Sequence, residues 1–144
     1  MANTVFLLVE DDPHDAFMVE REFASAPHLV LRHVLDGLEA VHYLLGEGQY
    51  GDRDQFPLPN VILLDLKMPR FSGFDFLDWL HSKSPGDLRV IPVIVMSSSS
   101  MPEDVKRVYA LGANCYMSKP VNWRAFQERI RTLGVFWSEH VETP

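Results

Sequence analysis

The sequence has one cysteine and no long apolar run. Cys115 is the only cysteine among 144 residues, which excludes an internal disulfide and favours a reducing compartment. No stretch reaches the roughly 18 apolar residues that cross a membrane. Residues 1–4 lack the basic segment, followed by a long apolar one, that is typical of a secretion signal. These absences predict a cytoplasmic protein with no membrane segment.

Basic residues are also scarce. Lysine and arginine number 13 against 20 acidic residues, and the net charge of −7 argues against binding to a nucleic-acid backbone. The hydrophobic fraction of 47% and the charged fraction of 23% are ordinary for a globular protein. Because the chain has no internal repeat and no low-complexity linker, we expect one domain over residues 1–144.

Short apolar runs alternate with helical patterns along the chain. This alternation is typical of βα units around a mostly parallel sheet, so the predicted fold class is α/β with five strands and five helices. The predicted strands cover residues 5–9, 29–35, 61–65, 92–96 and 114–118, and the predicted helices cover residues 13–26, 37–45, 74–82, 102–111 and 122–133.

Two helix starts and one long connection stand out within this pattern. Asp12 is the predicted N-cap of the first helix, with Pro13 at its first position. Ser100 and Glu103 predict a capping box at the start of the fourth helix. The connection at residues 46–60 is 15 residues long and contains several glycines and prolines. Connections of this length are usually functional or poorly ordered.

Side chains suited to phosphate chemistry follow four of the predicted strands. Glu10 and Asp11 come directly after the first strand, and Asp65 ends the third. Ser97 follows the fourth strand and Lys119 the fifth. Because ligands of an open parallel sheet bind outside the carboxyl ends of the strands, we expect these five side chains to lie together.

The combination of acids, a hydroxyl and an amine predicts a specific chemistry. Clustered carboxylates repel one another unless a cation lies between them, and hard oxygen ligands suit Mg²⁺. An aspartate can act as a nucleophile toward phosphorus and form an aspartyl phosphate. The metal and the ammonium of Lys119 would then stabilise charge on the phosphoryl oxygens. Asp65 is the candidate nucleophile of this site.

Each of these residues also has an ordinary interpretation. Asp12 alone is a helix cap, and Glu10 and Asp11 could be solvated acids at a strand end. Ser97 begins a serine run that is typical of a plain loop, and Lys119 begins a common surface dipeptide. Their conjunction, each at the same end of a strand, favours the phosphate site.

The motifs at these positions resemble those of a known family. They are Val9-Glu-Asp-Asp12, Leu64-Asp-Leu-Lys-Met-Pro69 with Gly73 following, Val95-Met-Ser97-Ser, and Tyr116-Met-Ser-Lys119-Pro120. Over essentially its full length the chain resembles a CheY-like receiver domain of the two-component response regulators. The resemblance implies a flavodoxin-like, doubly wound (βα)5 fold with a parallel five-stranded sheet.

The resemblance also implies a role for each site residue. Asp65 would accept a phosphoryl group from a phosphohistidine of a sensor histidine kinase. Asp11 would bind Mg²⁺ directly, Glu10 would bind it through water, and the backbone carbonyl of Lys67 would complete the protein's metal contacts. Lys119 would pair with the phosphoryl group.

The implied output is a conformational switch rather than turnover of a substrate. Ser97 would move toward the phosphoryl group, and Tyr116 would fill the vacated space. The domain would support its own phosphotransfer and autodephosphorylation without being an enzyme for other substrates. Lys67 and Ser99 occupy positions that tune dephosphorylation in this family. About ten residues follow the last predicted helix, so we expect output through protein contacts, or a role as a phosphate sink or relay.

A narrower resemblance concerns the long connection and the chain's end. The extended loop at 46–60 and the C-terminal tail at 134–144 resemble those of single-domain regulators paired with bacterial phytochrome kinases. The last helix carries large residues spaced by three and four, of which Phe126 and Ile130 are expected in the core. Exposed aromatic residues near Trp137 would favour a homodimer through helix four, strand five, helix five and the tail. The full set is Trp123, Phe126, Ile130, Leu133 and Trp137.

Two other functions fit parts of the pattern. A Mg²⁺-dependent phosphohydrolase with an aspartate nucleophile usually carries a second acid two residues later, where this chain has Lys67. A pseudo-receiver that acts only as an interaction module typically lacks an acid, the hydroxyl or the lysine. None of these positions is missing here, so both alternatives are disfavoured.

Overall fold

The computed structural model describes residues 3–99 and 101–144. Within them, five parallel strands form one sheet in the order β2-β1-β3-β4-β5, with helices on both faces. The predicted doubly wound (βα)5 fold is therefore confirmed. The strands are β1 (Thr4–Val9), β2 (Leu29–Val34), β3 (Val61–Leu64), β4 (Val93–Ser97) and β5 (Cys115–Ser118), and the helices are α1 (Pro13–Ala24), α2 (Gly37–Leu45), α3 (Gly73–Ser82), α4 (Pro102–Ala110) and α5 (Trp123–Glu139).

Two hydrophobic layers cover the sheet. Side chains of α1 and α5 pack on one face, including Val19 and Ile130, while α2, α3 and α4 cover the other, including Leu44 and Phe76. All four residues of β3 are buried because this central strand is covered on both faces. That position explains its unbroken apolar sequence.

The register of the strands places their carboxyl ends at one edge. Val9 of β1 pairs with Leu64 of β3, so the residues that follow these two strands leave the sheet side by side. Ser97 of β4 pairs with Ser118 of β5, and Lys119 follows directly. The sheet therefore brings together chain segments that are far apart in sequence.

Most predicted boundaries agree with the structure, and two points of difference concern helices. Helix α5 continues to Glu139, six residues beyond the predicted end at 133. Gly134 lies inside this helix, where an added Cβ would come 2.7 Å from Cδ1 of Leu29, so α5 passes close to the start of β2. Helix α4 begins at Pro102, and the predicted cap Ser100 lies outside the described residues.

The 46–60 segment is ordered by side-chain packing. A short 3-10 turn at Gly48–Gly51 presents Tyr50, whose ring lies 5.1 Å from that of Tyr43 and 5.2 Å from that of Phe56, centroid to centroid. The Arg53 guanidinium donates to the carbonyl oxygens of Tyr43 and Leu44 at the end of α2, at 2.9 and 2.8 Å. An arginine and an aromatic cluster thus replace regular structure in this connection.

Across the described part of the chain, no helix combines the length and the apolar character needed to cross a bilayer.

Candidate functional site

Three carboxylates meet where β1 and β3 end. Glu10 and Asp11 follow β1, and Asp65 follows β3, where its backbone N–H donates to the carbonyl of Val9 at 3.0 Å. One oxygen from each of the three side chains lies within 4.8 Å of the others. Glu10 and Asp65 are buried. The sheet therefore forms the acidic cluster that the sequence predicts.

Lys119 supplies the positive charge of this cluster. Its side chain is only 11% exposed, and its Nζ lies 2.6 Å from Oε1 of Glu10 and 3.5 Å from Oδ1 of Asp65. A third acid, Asp15 of α1, lies 2.9 Å from the same nitrogen. One ammonium is thus shared among three carboxylates.

Burial and mutual repulsion shift the acidity of these groups. Burial, and then the neighbouring Asp65, raise the pKa of Glu10 from 4.5 to about 8, although Lys119 opposes this shift. Burial also raises the pKa of Asp65 against the opposing charge of Lys119. Burial alone would lower the pKa of Lys119, but Asp65, Glu10 and Asp15 outweigh it and raise that pKa above its ordinary value. One ammonium is therefore shared by two buried carboxylates, which leaves the site with an excess of negative charge.

This excess of negative charge is suited to binding a divalent cation. Glu10, Asp11 and Asp65 offer hard carboxylate oxygens at separations that one ion can bridge. Lys67, whose backbone carbonyl is the fourth predicted ligand, lies two residues after Asp65 in the β3–α3 loop. Its role as a ligand stays a prediction.

The β3–α3 loop is held close to the acceptor. Gly73 donates its N–H to the carbonyl of Leu66 at 3.0 Å. A Cβ on Gly73 would come 2.5 Å from the backbone oxygen of Asp65, so only glycine fits this contact. Arg70 has a φ of +66° and binds the buried carboxylate of Asp36. This ion pair ties the loop to the start of α2, because Asp36 also accepts a hydrogen bond from the N–H of Glu39 there.

A hydroxyl network continues from the site toward α4. Ser97 is 0% exposed, and its Oγ accepts a hydrogen bond from the N–H of Ser99 at 3.2 Å. The Tyr116 hydroxyl donates to the carbonyl of Ser99, and the Ser99 hydroxyl donates to Asp104 at 2.7 Å. Tyr116 packs toward α4, on the face opposite Cys115, because successive side chains of a strand point to opposite faces. The structure therefore places the two predicted switch residues on either side of Ser99.

Two parts of the site were missed by sequence reasoning. Asp15 was passed over because an acid in the first turn of a helix is expected anyway, as a partner of the helix dipole. The pair of Arg70 and Asp36 was missed because the two residues lie 34 positions apart. Arg70 directly follows the motif that ends at Pro69, but Asp36 belongs to no motif. Only the fold brings these pairs together, although the acidic spacing Asp11, Asp12 and Asp15 could have drawn attention to Asp15.

The predicted stripe on α5 divides into buried and exposed parts. Phe126, Ile130 and Leu133 are buried, as expected for a core stripe. Trp123 of the stripe is 55% exposed, and Trp137 is half-buried against the core. Phe136, which lies beside the stripe, is 51% exposed. A groove of about 700 Å³ lies between the β5 strand and α5, and it is lined by Cys115, Met117, Leu133, Phe136 and Trp137 among others.

The sequence family agrees with this fold and site. Residues 6–131 match the response regulator receiver domain family. The chain belongs to that family, and the predicted CheY-like receiver domain is confirmed.

Individual relatives narrow the class further. The response regulator Rcp1 of Synechocystis sp. is 35% identical to this chain, and the similarity covers 97% of this chain and 92% of Rcp1. The crystal structure of the phosphorylated cyanobacterial phytochrome response regulator RcpA has a TM-score of 0.90 at 32% identity and covers 99% of both chains. The Mn(2+)-bound form of Rcp1 has a TM-score of 0.87 at 34% identity, covering 98% of this chain and 99% of the other. The chain is therefore homologous to phytochrome response regulators.

Proposed function

We propose that Asp65 accepts a phosphoryl group from a phosphohistidine of a sensor histidine kinase. The observation that carries this proposal is the buried Asp65 carboxylate at the end of β3, 3.5 Å from Lys119 and inside the three-acid cluster. A carboxylate oxygen of Asp65 attacks phosphorus, and the bond from phosphorus to the imidazole nitrogen breaks. Its electron pair stays on the imidazole, which is left neutral or takes up a proton.

The chain's own residues prepare this transfer. Lys119 faces the developing charge on the phosphoryl oxygens, and its raised pKa keeps it protonated at neutral pH. Glu10, Asp11 and Asp65 would hold Mg²⁺, with Lys67 as the backbone ligand, and the ion would neutralise charge on the phosphoryl group. The Mn(2+)-bound Rcp1 structure supports a divalent ion in this family, and Mg²⁺ is our choice for this chain.

Loss of the phosphoryl group would occur in the same site, through attack of water on phosphorus. The domain thus supports its own autodephosphorylation without acting as an enzyme for other substrates. The Ser99 hydroxyl is already bound to Asp104, so Ser99 would not orient that water as long as this contact persists. Lys67 is exposed within the β3–α3 loop and would control the approach of water.

Phosphorylation would act on a pre-existing equilibrium between two arrangements of the α4-β5-α5 face. Ser97 and Tyr116 would couple the acceptor to this face through Ser99. The output would be a contact with a downstream protein.

The partner kinase would be a phytochrome. This chain would act in the cytoplasm. Support comes from relatives of similar length whose names give them as phytochrome response regulators, RcpA among them. The response regulator RPA3017, described as acting in red light signalling of R. palustris, has a TM-score of 0.86 at 32% identity.

A second copy of the chain would cover the groove between β5 and α5. Exposed Phe136 lies at this groove, and Glu128 and Arg129 line it together. A two-fold interface repeats the same patch on both partners, so Glu128 of one copy could face Arg129 of the other. The homodimer would thus involve β5, α5 and the 134–144 segment of the predicted interface, whereas α4, its remaining part, does not line this groove.

Phosphotransfer from a purified histidine kinase tests the main proposal. The wild-type chain should take up the label in Mg²⁺, and Asp65→Asn should take up none while it still unfolds in one cooperative thermal transition. Asp87→Asn is the matched control, because Asp87 is an exposed acid before β4, at the other end of the sheet. Label retained on Asp65→Asn would overturn the assignment. Steady turnover of small phosphate esters would favour the phosphohydrolase alternative, and partner binding without any labelling would favour the pseudo-receiver.

A further inference from the structure

Lys119 has a carboxylate partner outside the group of acids that could hold a divalent ion. Its Nζ lies 2.9 Å from Oδ2 of Asp15, closer than the 3.5 Å to Oδ1 of Asp65. We propose that Asp15 is a positioning residue, which holds the Lys119 ammonium within reach of a phosphoryl group on Asp65. This inference rests on the proposed phosphoacceptor role of Asp65.

Asp15 is held in place by the start of α1. Asp12 caps this helix and accepts hydrogen bonds from the N–H groups of His14 and Asp15, at 2.8 and 3.4 Å. Pro13 at the first helical position restricts the backbone further. The Asp15 carboxylate therefore projects from a rigid turn, 104 residues away in sequence from the lysine that it binds.

The three partners of Lys119 differ in what else they do. Glu10 and Asp65 belong to the acidic group that could hold a divalent ion, whereas Asp15 does not. Glu10 and Asp65 would divide their oxygens between the ion and the ammonium. The carboxylate of Asp15 stays available to Lys119 whatever those two acids bind.

The donor count favours a positioning role. An ammonium has three N–H donors. Two of the Lys119 contacts, at 2.6 Å to Glu10 and 2.9 Å to Asp15, are hydrogen bonds, while the third at 3.5 Å is longer than a good one. With two donors used on Glu10 and Asp15, the third remains for the side of Asp65, where phosphoryl oxygens would bind.

Loss of the Asp15 carboxylate should therefore leave Lys119 in place but less firmly positioned, because the ammonium loses one of its two hydrogen bonds. The lysine side chain is a flexible four-carbon stem, and one charge-assisted hydrogen bond contributes on the order of a tenfold effect. The ammonium would keep Glu10 but sample positions away from Asp65.

The test compares Asp15→Asn with Asp15→Glu and with Glu20→Gln. Asp15→Asn keeps the size of the side chain and removes its charge, and Asp15→Glu restores the charge. Glu20→Gln is the matched control, because Glu20 is an exposed acid on the same helix whose partner is His33. The probes are Mg²⁺ alone and a small acyl phosphate as donor, so no kinase is needed.

We expect Asp15→Asn to be labelled about tenfold more slowly at saturating Mg²⁺. Its Mg²⁺ affinity by calorimetry should stay within about threefold of wild type, since the neighbouring charge it loses is not a ligand. The ammonium proton signal of Lys119, slowed in its solvent exchange by burial and carboxylate partners, should broaden in Asp15→Asn. Asp15→Glu should recover part of the labelling rate, and Glu20→Gln should match wild type in all three measurements.

Other outcomes would overturn the inference. Asp15→Asn labelled at the wild-type rate or faster would show that Asp15 does not position Lys119 for transfer. An equal loss of labelling and of Mg²⁺ affinity would assign Asp15 to the metal site. If wild type itself is not labelled, the proposed function fails first, and this inference fails with it.

Discussion

At the scale of single residues, the main feature of the site is an excess of buried carboxylates over positive charge. Glu10 and Asp65 are buried beside Lys119, and burial raises the pKa values of both acids although the Lys119 ammonium opposes the shift. This imbalance makes the cluster receptive to a divalent cation.

The raised pKa of Glu10 predicts how stability depends on pH without metal. The pKa of Glu10 is about 8 in the folded protein against an ordinary value of 4.5, so the folded state binds this proton more tightly. The stabilisation from Glu10 is therefore complete below about pH 4.5 and is lost as the pH rises through about 8. We expect the free energy of unfolding in a chelator to fall between pH 6 and 9, as measured by urea titration.

Glu10→Gln provides the control for this pH dependence. Its uncharged amide cannot lose a proton, so the fall in stability from pH 6 to 9 should be smaller than in wild type. The lysine does not contribute over this range because its pKa lies above the ordinary value. Identical pH profiles for the two proteins would contradict the assignment of the raised pKa to Glu10.

At the scale of elements, the β3–α3 loop depends on one close contact. Gly73→Ala would place a methyl group 2.5 Å from the backbone oxygen of Asp65 and 2.8 Å from Cα of Leu66. We expect a loss of about 1–3 kcal/mol in unfolding free energy from this overpacking. Labelling by an acyl phosphate should also slow, because relief of the clash moves Asp65.

Gly51→Ala is the matched substitution for this comparison. A Cβ at Gly51 meets its nearest neighbour, the carbonyl of Gly46, at an ordinary 3.5 Å. We expect little change in stability or labelling. If Gly73→Ala behaved like Gly51→Ala in denaturant titrations, the contact with Asp65 would not constrain the loop.

The 46–60 segment predicts a second element-scale result. Arg53→Met would remove hydrogen bonds to the carbonyl oxygens of Tyr43, Leu44 and Phe56, at 2.9, 2.8 and 3.2 Å. We expect a loss of about 2 kcal/mol, because buried carbonyls lose a charged donor. Hydrogen exchange should rise in the segment and at the end of α2, whereas Arg89→Met, at an exposed arginine, should change neither measurement.

The sequence predicted regular elements better than their ends and connections. Apolar runs located the strands because a buried parallel strand leaves little room for polar residues. The end of α5 was placed too early at 133, since Gly134 is a usual stop signal whereas its close approach to Leu29 is set by tertiary packing. The order of the 46–60 segment depends on Arg53 and three aromatic rings that no local pattern joins.

The candidate site was predictable where residues follow strands. Strand ends converge in any parallel sheet, so Glu10, Asp65 and Lys119 could be brought together from sequence alone. Asp15 could not, because its contact with Lys119, which follows β5, depends on tertiary packing that no local sequence pattern shows. The ligand role of Lys67 remains a prediction.

At the scale of the whole molecule, the exposed aromatic side of α5 predicts self-association. Phe136→Glu would place a charge in the groove between β5 and α5, and we expect it to convert the proposed dimer to a monomer. Sedimentation velocity at tens of micromolar, with and without phosphorylation, measures this change. Phe17→Glu is the control, since Phe17 is also exposed but lies on α1 beyond this groove. A wild-type chain that is monomeric in both states would refute the dimer.

The central claim is that the whole fold positions Asp65 to hold a phosphoryl group. The most direct test is the intact mass of the protein, and of its Asp65 peptide, after incubation with an acyl phosphate and Mg²⁺. We predict the mass increment of one phosphoryl group, located on Asp65, absent without Mg²⁺ and absent in Asp65→Asn. An unmodified wild-type protein, or an increment on any other residue, would contradict the account.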